Sequence, residues 1–273
     1  MEQYLKLFRT NSEYEVLTDK PPVSHIVEDV DIKMKSPNNI ITYWASEKMP
    51  EVTVDYQSGL HKNMFNVSIS AHTFNNGVGK IIFYGDVTRI GDYAFHCSNN
   101  NSFAPTRIEI PDTVTTLGTG AFSGTKLISM NLSDKITTVG GVIFSYCMEL
   151  VNAKLPSGMT TLGDSFFATC RKLESVTIPN GVTTIGNMTF MDCDALTTVE
   201  IPSGVTEIGF NAFYNLPSLT SIICRPITPP TLGSNSMFTN TNNCPIYVPA
   251  DSVNAYKTAN IWRNVSSRIR AIE

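Results

Sequence analysis

Residues 173–193 read LESVTIPNGVTTIGNMTFMDC, and this stretch decides the fold. Leu173, Val176, Ile178, Val182, Ile185, Gly186, Phe190 and Cys193 make its framework, with Pro179 closing the first apolar run. The same spacing returns 23 residues later at Leu196, Val199, Ile201, Pro202, Val205, Ile208, Gly209 and Phe213. It also occurs 23 residues earlier at Leu150, Leu155, Pro156, Leu162, Gly163, Phe167 and Cys170. A fixed period of about 20–50 residues marks a repeat architecture. Each coil of such a chain leaves one apolar side for the next coil to cover, so the core is a column rather than a ball.

Aligning the coils turns single residues into columns. Gly118, Gly140, Gly163, Gly186 and Gly209 form one, and Phe122, Phe144, Phe167, Phe190 and Phe213 another. The phenylalanines are expected to fill the interior, and the glycines to mark a turn that needs a positive φ or is too crowded for a Cβ. Val176 and Ile178 read as a short strand that ends at Pro179, because proline cannot continue a ladder. Stacked coils make this strand a parallel sheet. The step from Gly91 to Gly118 is 27 residues, which places an inserted loop at Ser98–Pro105, around Asn99-Asn100-Asn101. Gly118-Thr119-Gly120 with Gly124 imitates a phosphate loop until the columns are aligned. Gly118 is then a repeat position, and Gly120 and Gly124 read as local variations.

Residues 1–73 do not carry the repeat. Apolar runs at Val23–Val27, Val30–Met34, Ile40–Trp44, Val52–Tyr56 and Phe65–Ile69, separated by Pro, Asn and Gly, predict a small antiparallel β module that caps one end. Residues 74–249 form the solenoid, and 250–273 a C-terminal cap in which Asp251 is the N-cap candidate of a short helix before Trp262. The predicted fold is a right-handed repeat solenoid of about 23-residue units with short parallel strands, a β module before it and a helical cap after it.

The unit L-x-x-V-x-I-P-x-x-V-x-x-I-G-x-x-A-F-x-x-C resembles the BspA-like leucine-rich repeat family of bacterial surface proteins. The likeness runs over about residues 78–273 and includes the closing Ile246-Tyr247-Val248-Pro249 with Tyr256-Lys257 and Trp262. Ser133 stands in place of proline, Phe166 and Thr189 in the Ala column, and Leu216 in the Cys column. The resemblance implies a leucine-rich repeat coil, a secreted or surface-exposed protein and, for some members, adhesion to host proteins or other cells. It brings no catalytic residues.

Composition narrows the function classes. Charged residues make up 16% of the 273 and the net charge is -4, with Lys and Arg scattered, so no basic field exists for a nucleic-acid backbone. No run approaches about 18 apolar residues, which argues against a membrane span, and Met1–Arg9 lacks the apolar core of a secretory signal. Cys147, Cys170 and Cys193 share one column, with Cys97 near it, and read as buried packing thiols, since zinc would want paired C-x-x-C spacing. His25, His61, His72 and His96 form no ligand motif, and Asp192 and Asp194 read as solvated turn acids. No catalytic, cofactor or metal residues are assigned.

What remains is a face. In the strand the apolar positions point inward, so the third and fifth residues of each coil point out. The fifth-position row is Ile82, Glu109, Asn131, Lys154, Thr177, Glu200, Ile223 and Tyr247, and the third-position row runs from Lys80 and Arg107 to Ser221 and Pro245. From these rows Arg107, Glu109, Lys154, Glu200, Ile223 and Tyr247 are the candidate binding residues, with Arg107 and Tyr247 ahead because hot spots favour Arg and Tyr. The expected function is a non-catalytic scaffold at the cell surface or outside the cell that binds a protein or glycan. The alternative is a structural component of a phage particle or other extracellular assembly.

Overall fold

In the computed structural model, side chains are described for residues 39–49, 65–97 and 104–273, and backbone strands also at 6–10, 13–17, 51–52 and 60–61. The expected strands at 23–27 and 30–34, and the Asn-rich stretch at 99–101, lie outside the described residues. The chain divides into two units, Met1–Lys35 and Ser36–Glu273. The first holds an antiparallel pair, Lys6–Thr10 with Glu13–Leu17.

The second unit is a β-solenoid. Its long row of strands begins with an antiparallel layer in the order Ile69–Asn75, Val78–Phe83, Ile40–Trp44, Arg107–Glu109. Asn76 and Gly77, both at positive φ, make the tight turn of its hairpin. The boundary read between residues 73 and 74 falls inside the Ile69–Asn75 strand. From Ser129–Asn131 onward the row is parallel, through Asn152–Lys154 and Ser175–Val176, then Thr198–Ile201, Ser221–Cys224, Ile246–Val248 and Ile269–Ala271. A second row of two-residue strands, including Thr116–Leu117, Thr161–Leu162 and Thr184–Ile185, runs parallel on another side of each coil.

Between the rows the phenylalanines stack. Phe122, Phe144, Phe167, Phe190 and Phe213 are fully buried, and successive ring centroids lie 5.9, 5.5, 5.7 and 5.7 Å apart, with interplanar angles of 14° or less. Phe95 and Phe65 continue the column toward the N-terminal layer, and Phe238 and Trp262 continue it into the cap. The Val253–Thr258 helix seals that end with Tyr256, whose hydroxyl donates to the Pro226 carbonyl at 2.7 Å. The Trp262 Nε1–H donates to the Pro230 carbonyl at 2.8 Å. Asp251 is not the helix N-cap. After Pro249 the chain enters a 3-10 turn at Ala250–Ser252, so the α-helix starts later, from Ser252, with no side-chain cap bond.

The glycine column answers to crowding, not to φ. A Cβ would sit 2.4 Å from the Asp92 backbone N at Gly118, 2.7 Å from the Asp164 N at Gly186 and 2.5 Å from the Asn187 N at Gly209, each atom on the preceding coil. The left-handed positions lie two and six residues further on. Tyr93, Gly120, Val142, Ser165, Met188 and Asn211 occupy the first, and Gly124, Tyr146, Thr169, Asp192 and Asn215 the second, all at positive φ. Gly120 and Gly124 are therefore not local variations. They are the two glycines that suit backbone positions other coils fill with strained L-residues.

All six cysteines are reduced and buried. The Cys147, Cys170 and Cys193 thiols donate to the carbonyls of Phe122, Phe144 and Phe167 on the preceding coil, at 3.2, 3.0 and 3.2 Å. The column thus ties these three coils to their predecessors through a weak donor.

Candidate binding face

The outward rows form, with one insertion. Parallel registers set Asn131 beside Lys154, Glu200 beside Ile223, and Ile223 beside Tyr247. At the N-terminal end, Lys80 and Ile82 do not neighbour Arg107 and Glu109. The antiparallel Ile40–Trp44 strand lies between them, pairing Thr42 with Lys80 on one side and with Glu109 on the other. The repeat spacing carries no sign of this inserted strand, which comes from far upstream, because only tertiary pairing puts it there.

That strand contributes the residue missing from the sequence reading. The Arg107 guanidinium carbon lies 4.5 Å from the centre of the Trp44 ring, and Arg107 also pairs with Glu109. Arg and Trp are the side chains most often found as binding hot spots, and an Arg held flat on an indole has its rotamer freedom reduced before any partner arrives. Trp44 sits in an apolar run indistinguishable from a core strand, and only the alternation with buried Ile41 and Tyr43 shows it to face outward.

The other candidates are each held by a neighbour. Lys154 Nζ lies 3.7 Å from Asp134 Oδ2, and Arg225 Nε donates to Glu200 Oε1 at 2.8 Å. The Ser157 N–H, donated to Asp134 at 2.7 Å, is the first cause holding that carboxyl below its ordinary value. Asp112, Asn131, Ser133 and Lys154 rim a shallow cavity of about 390 Å³ where Ser133 replaces the repeat proline. Ile223 and Tyr247 are half-buried rather than open, since the sheet runs on past Tyr247 to Ile269–Ala271, which sets Arg270 beside it.

Elsewhere the chemistry that sequence reading weighed is absorbed by structure. His96 Nδ1 lies 3.1 Å from the Ser123 carbonyl, and desolvation is the main cause of its lowered pKa. Asp192 accepts from Asn215 Nδ2 at 2.6 Å, and Asp194 lies 3.8 Å from Arg171. Among the described residues no group of three or more His, Cys, Asp or Glu is placed to hold a metal ion, and no helix is long and apolar enough to cross a membrane.

The family described as BspA type leucine rich repeat region matches residues 62–173 and 160–260 in six copies. Among solved structures, the chain is similar to a leucine-rich repeat protein from Bacteroides ovatus, at 21% identity and a TM-score of 0.46, covering 60% of this chain and 47% of that one. It is similar to the leucine-rich repeat protein of T. pallidum at 20% identity and a TM-score of 0.46, covering 66% and 89%. A leucine rich cell surface protein from Faecalibacterium prausnitzii matches at 21% identity and a TM-score of 0.31, covering 60% and 56%. The chain thus spans about half the length of the Bacteroides ovatus protein. No curated protein matches it.

Proposed function

We propose, from the premise that this chain belongs to the BspA-type leucine-rich repeat family, that it is a non-catalytic scaffold at the bacterial surface whose long strand row binds a protein or glycan. The observation that carries the reading is the Trp44–Arg107 stack on the outward face, continued by rows of side chains at the fixed interstrand spacing of about 4.8 Å. A regular rank of short polar side chains suits an extended partner, and the aromatic–guanidinium pair gives it an anchor. The name of the Faecalibacterium prausnitzii relative supports the compartment.

The experiment is a binding screen of the purified chain on arrays of extracellular-matrix proteins and bacterial and host glycans. Hits are then remeasured with Arg107→Ala, Trp44→Ala and Tyr247→Ala, and with Lys172→Ala as an off-row control. Loss of about tenfold or more for Arg107→Ala or Trp44→Ala with the control unchanged supports the face. Binding that none of the three row variants alters, or that Lys172→Ala weakens equally, removes it.

A further inference from the structure

The C-terminal cap holds a buried positive charge that no carboxylate answers. Arg268 is only 9% exposed, and no carboxylate among the described residues forms an ion pair with it. Its Nε donates to the Cys244 carbonyl at 2.7 Å, its Nη2 reaches the Cys244 sulfur at 3.4 Å, and its guanidinium carbon lies 5.6 Å from the centre of the Phe238 ring. A guanidinium carries five N–H donors and stays protonated. One carbonyl, one weak sulfur acceptor and a ring face leave the charge without an anion, and since no buried side-chain nitrogen among the described residues lacks a partner, the remaining N–H donors are open to solvent. Burying such a group costs free energy unless it is paired.

Arg268 lines a cavity of about 520 Å³, and so does Arg270. The Nη1 of Arg270 donates to the Ser267 and Ile269 carbonyls at 2.6 and 3.0 Å, which fixes the side chain without neutralising it. Asn243, Asn264 and Ser267 add polar groups to the same wall, and Asn264 is itself positioned by its 3.0 Å bond to Asn235. Pro245, from the third-position row, borders the cavity too.

We infer that this cavity is an oxyanion site, in which Arg268 and Arg270 together take a carboxylate or a sulfate or phosphate group. Both arginines line the one cavity, and Arg is the residue suited to bidentate recognition of such groups. Because Arg270 pairs in register with Tyr247, the site opens at the end of the outward row, where an acidic ligand on that face would place its charge. The biological ligand rests on the binding-face reading above. The ion site does not, and its test needs no partner.

The test uses the full chain labelled with nitrogen-15. Sodium sulfate in one arm and sodium acetate in the other replace chloride at constant ionic strength, while the Arg Nε–H resonances are followed. A saturable shift of the Arg268 and Arg270 signals with the Arg171 signal unmoved supports the site, and the more effective anion tells sulfate-like from carboxylate ligands. Arg270→Gln, an exposed position, should weaken the interaction about tenfold, and Arg268→Lys should weaken it too by removing the fork while keeping the charge. No saturable shift with either anion, or saturation that Arg270→Gln leaves unchanged, overturns the proposal.

Discussion

At the scale of the residue, stability follows what each side chain meets on the coil before it. Phe190 lies within 5.7 Å of a stacked ring on either side and has no exposure, so Phe190→Ala opens a ring-sized gap that neither neighbour can fill. The expected loss is about 3–5 kcal/mol in chemical denaturation, and a loss below about 1 kcal/mol would contradict the stacked column. Glycines separate in the same way. Gly209→Ala would force a methyl to within 2.5 Å of the Asn187 backbone N, whereas Gly158 has nothing within 4 Å of its would-be Cβ. Gly209→Ala is therefore expected to cost several kcal/mol, and Gly158→Ala to be neutral or to stabilise by about 0.4–1 kcal/mol through the unfolded chain. Equal denaturation midpoints for the two variants would remove the crowding argument. The sequence shows that a column is glycine, but not which of two reasons applies, since crowding depends on a backbone 21–27 residues away.

At the scale of the element, the cysteine column is a set of weak donors aimed at the preceding coil, and its protonation ties the fold to pH. Burial pushes the Cys147 thiol up to about 12 from an ordinary value of 9.0 and raises Cys170 and Cys193 as well, and it does the same, to about 12, for Cys97 and Cys224 outside the column. The folded chain holds these protons more tightly than the unfolded chain does. The resulting stabilisation is complete below about pH 9 and is lost as pH rises from there toward 12. Denaturation midpoints should be flat from pH 7 to 9 and fall above it, and less steeply for Cys147→Thr, a side chain the column already accepts at Thr125 and Thr241. A thiol reagent should count few groups before unfolding and all six after it. An alkaline slope identical in the Cys147→Thr variant would show that the column does not carry the effect. Legibility varies by element for a physical reason. The parallel rows follow from spacing because each strand repeats its neighbour, while the Ile40–Trp44 strand, bonded antiparallel between Val78–Phe83 and Arg107–Glu109, has no repeat to announce it. The paired left-handed positions escaped for the opposite reason. Tyr93, Val142, Ser165, Met188 and Asn211 share a conformation without sharing any chemistry. Of the candidate face, the outward direction of Arg107 and Tyr247 was legible from alternation, whereas the Trp44 stack and the sheet's continuation to Arg270 arise from pairings distant in sequence.

At the scale of the whole molecule, the solenoid is an apolar column whose two ends must be closed, because each coil is covered only by its neighbours. The C-terminal closure is made by few groups. Trp262 and Tyr256 are fully buried, with ring centroids 4.9 Å apart, and Trp262 sits 5.5 Å from Phe238 at the end of the phenylalanine stack. The final strand, Ile269–Ala271, pairs along Ile246–Val248 and covers an edge that would otherwise present open backbone groups. Ending the chain after Pro249 removes both the rings and the strand, leaving Phe238 and the Ile246–Val248 edge facing water. A bare parallel edge beside an apolar surface is a template for another chain, so the truncated protein is expected to self-associate rather than to unfold from its far end. In size-exclusion chromatography with light scattering it should elute as oligomers or aggregate, with β-sheet circular dichroism largely kept, since coils far from the cut retain their neighbours. Trp262→Ala in the full chain gives an intermediate case, keeping the strand while losing the indole and its bond to Pro230, and should lower stability by about 3–5 kcal/mol without self-association. If the truncated chain remains monomeric and melts with the full-length protein, residues 250–273 are an appendage and the column is closed by the coils themselves.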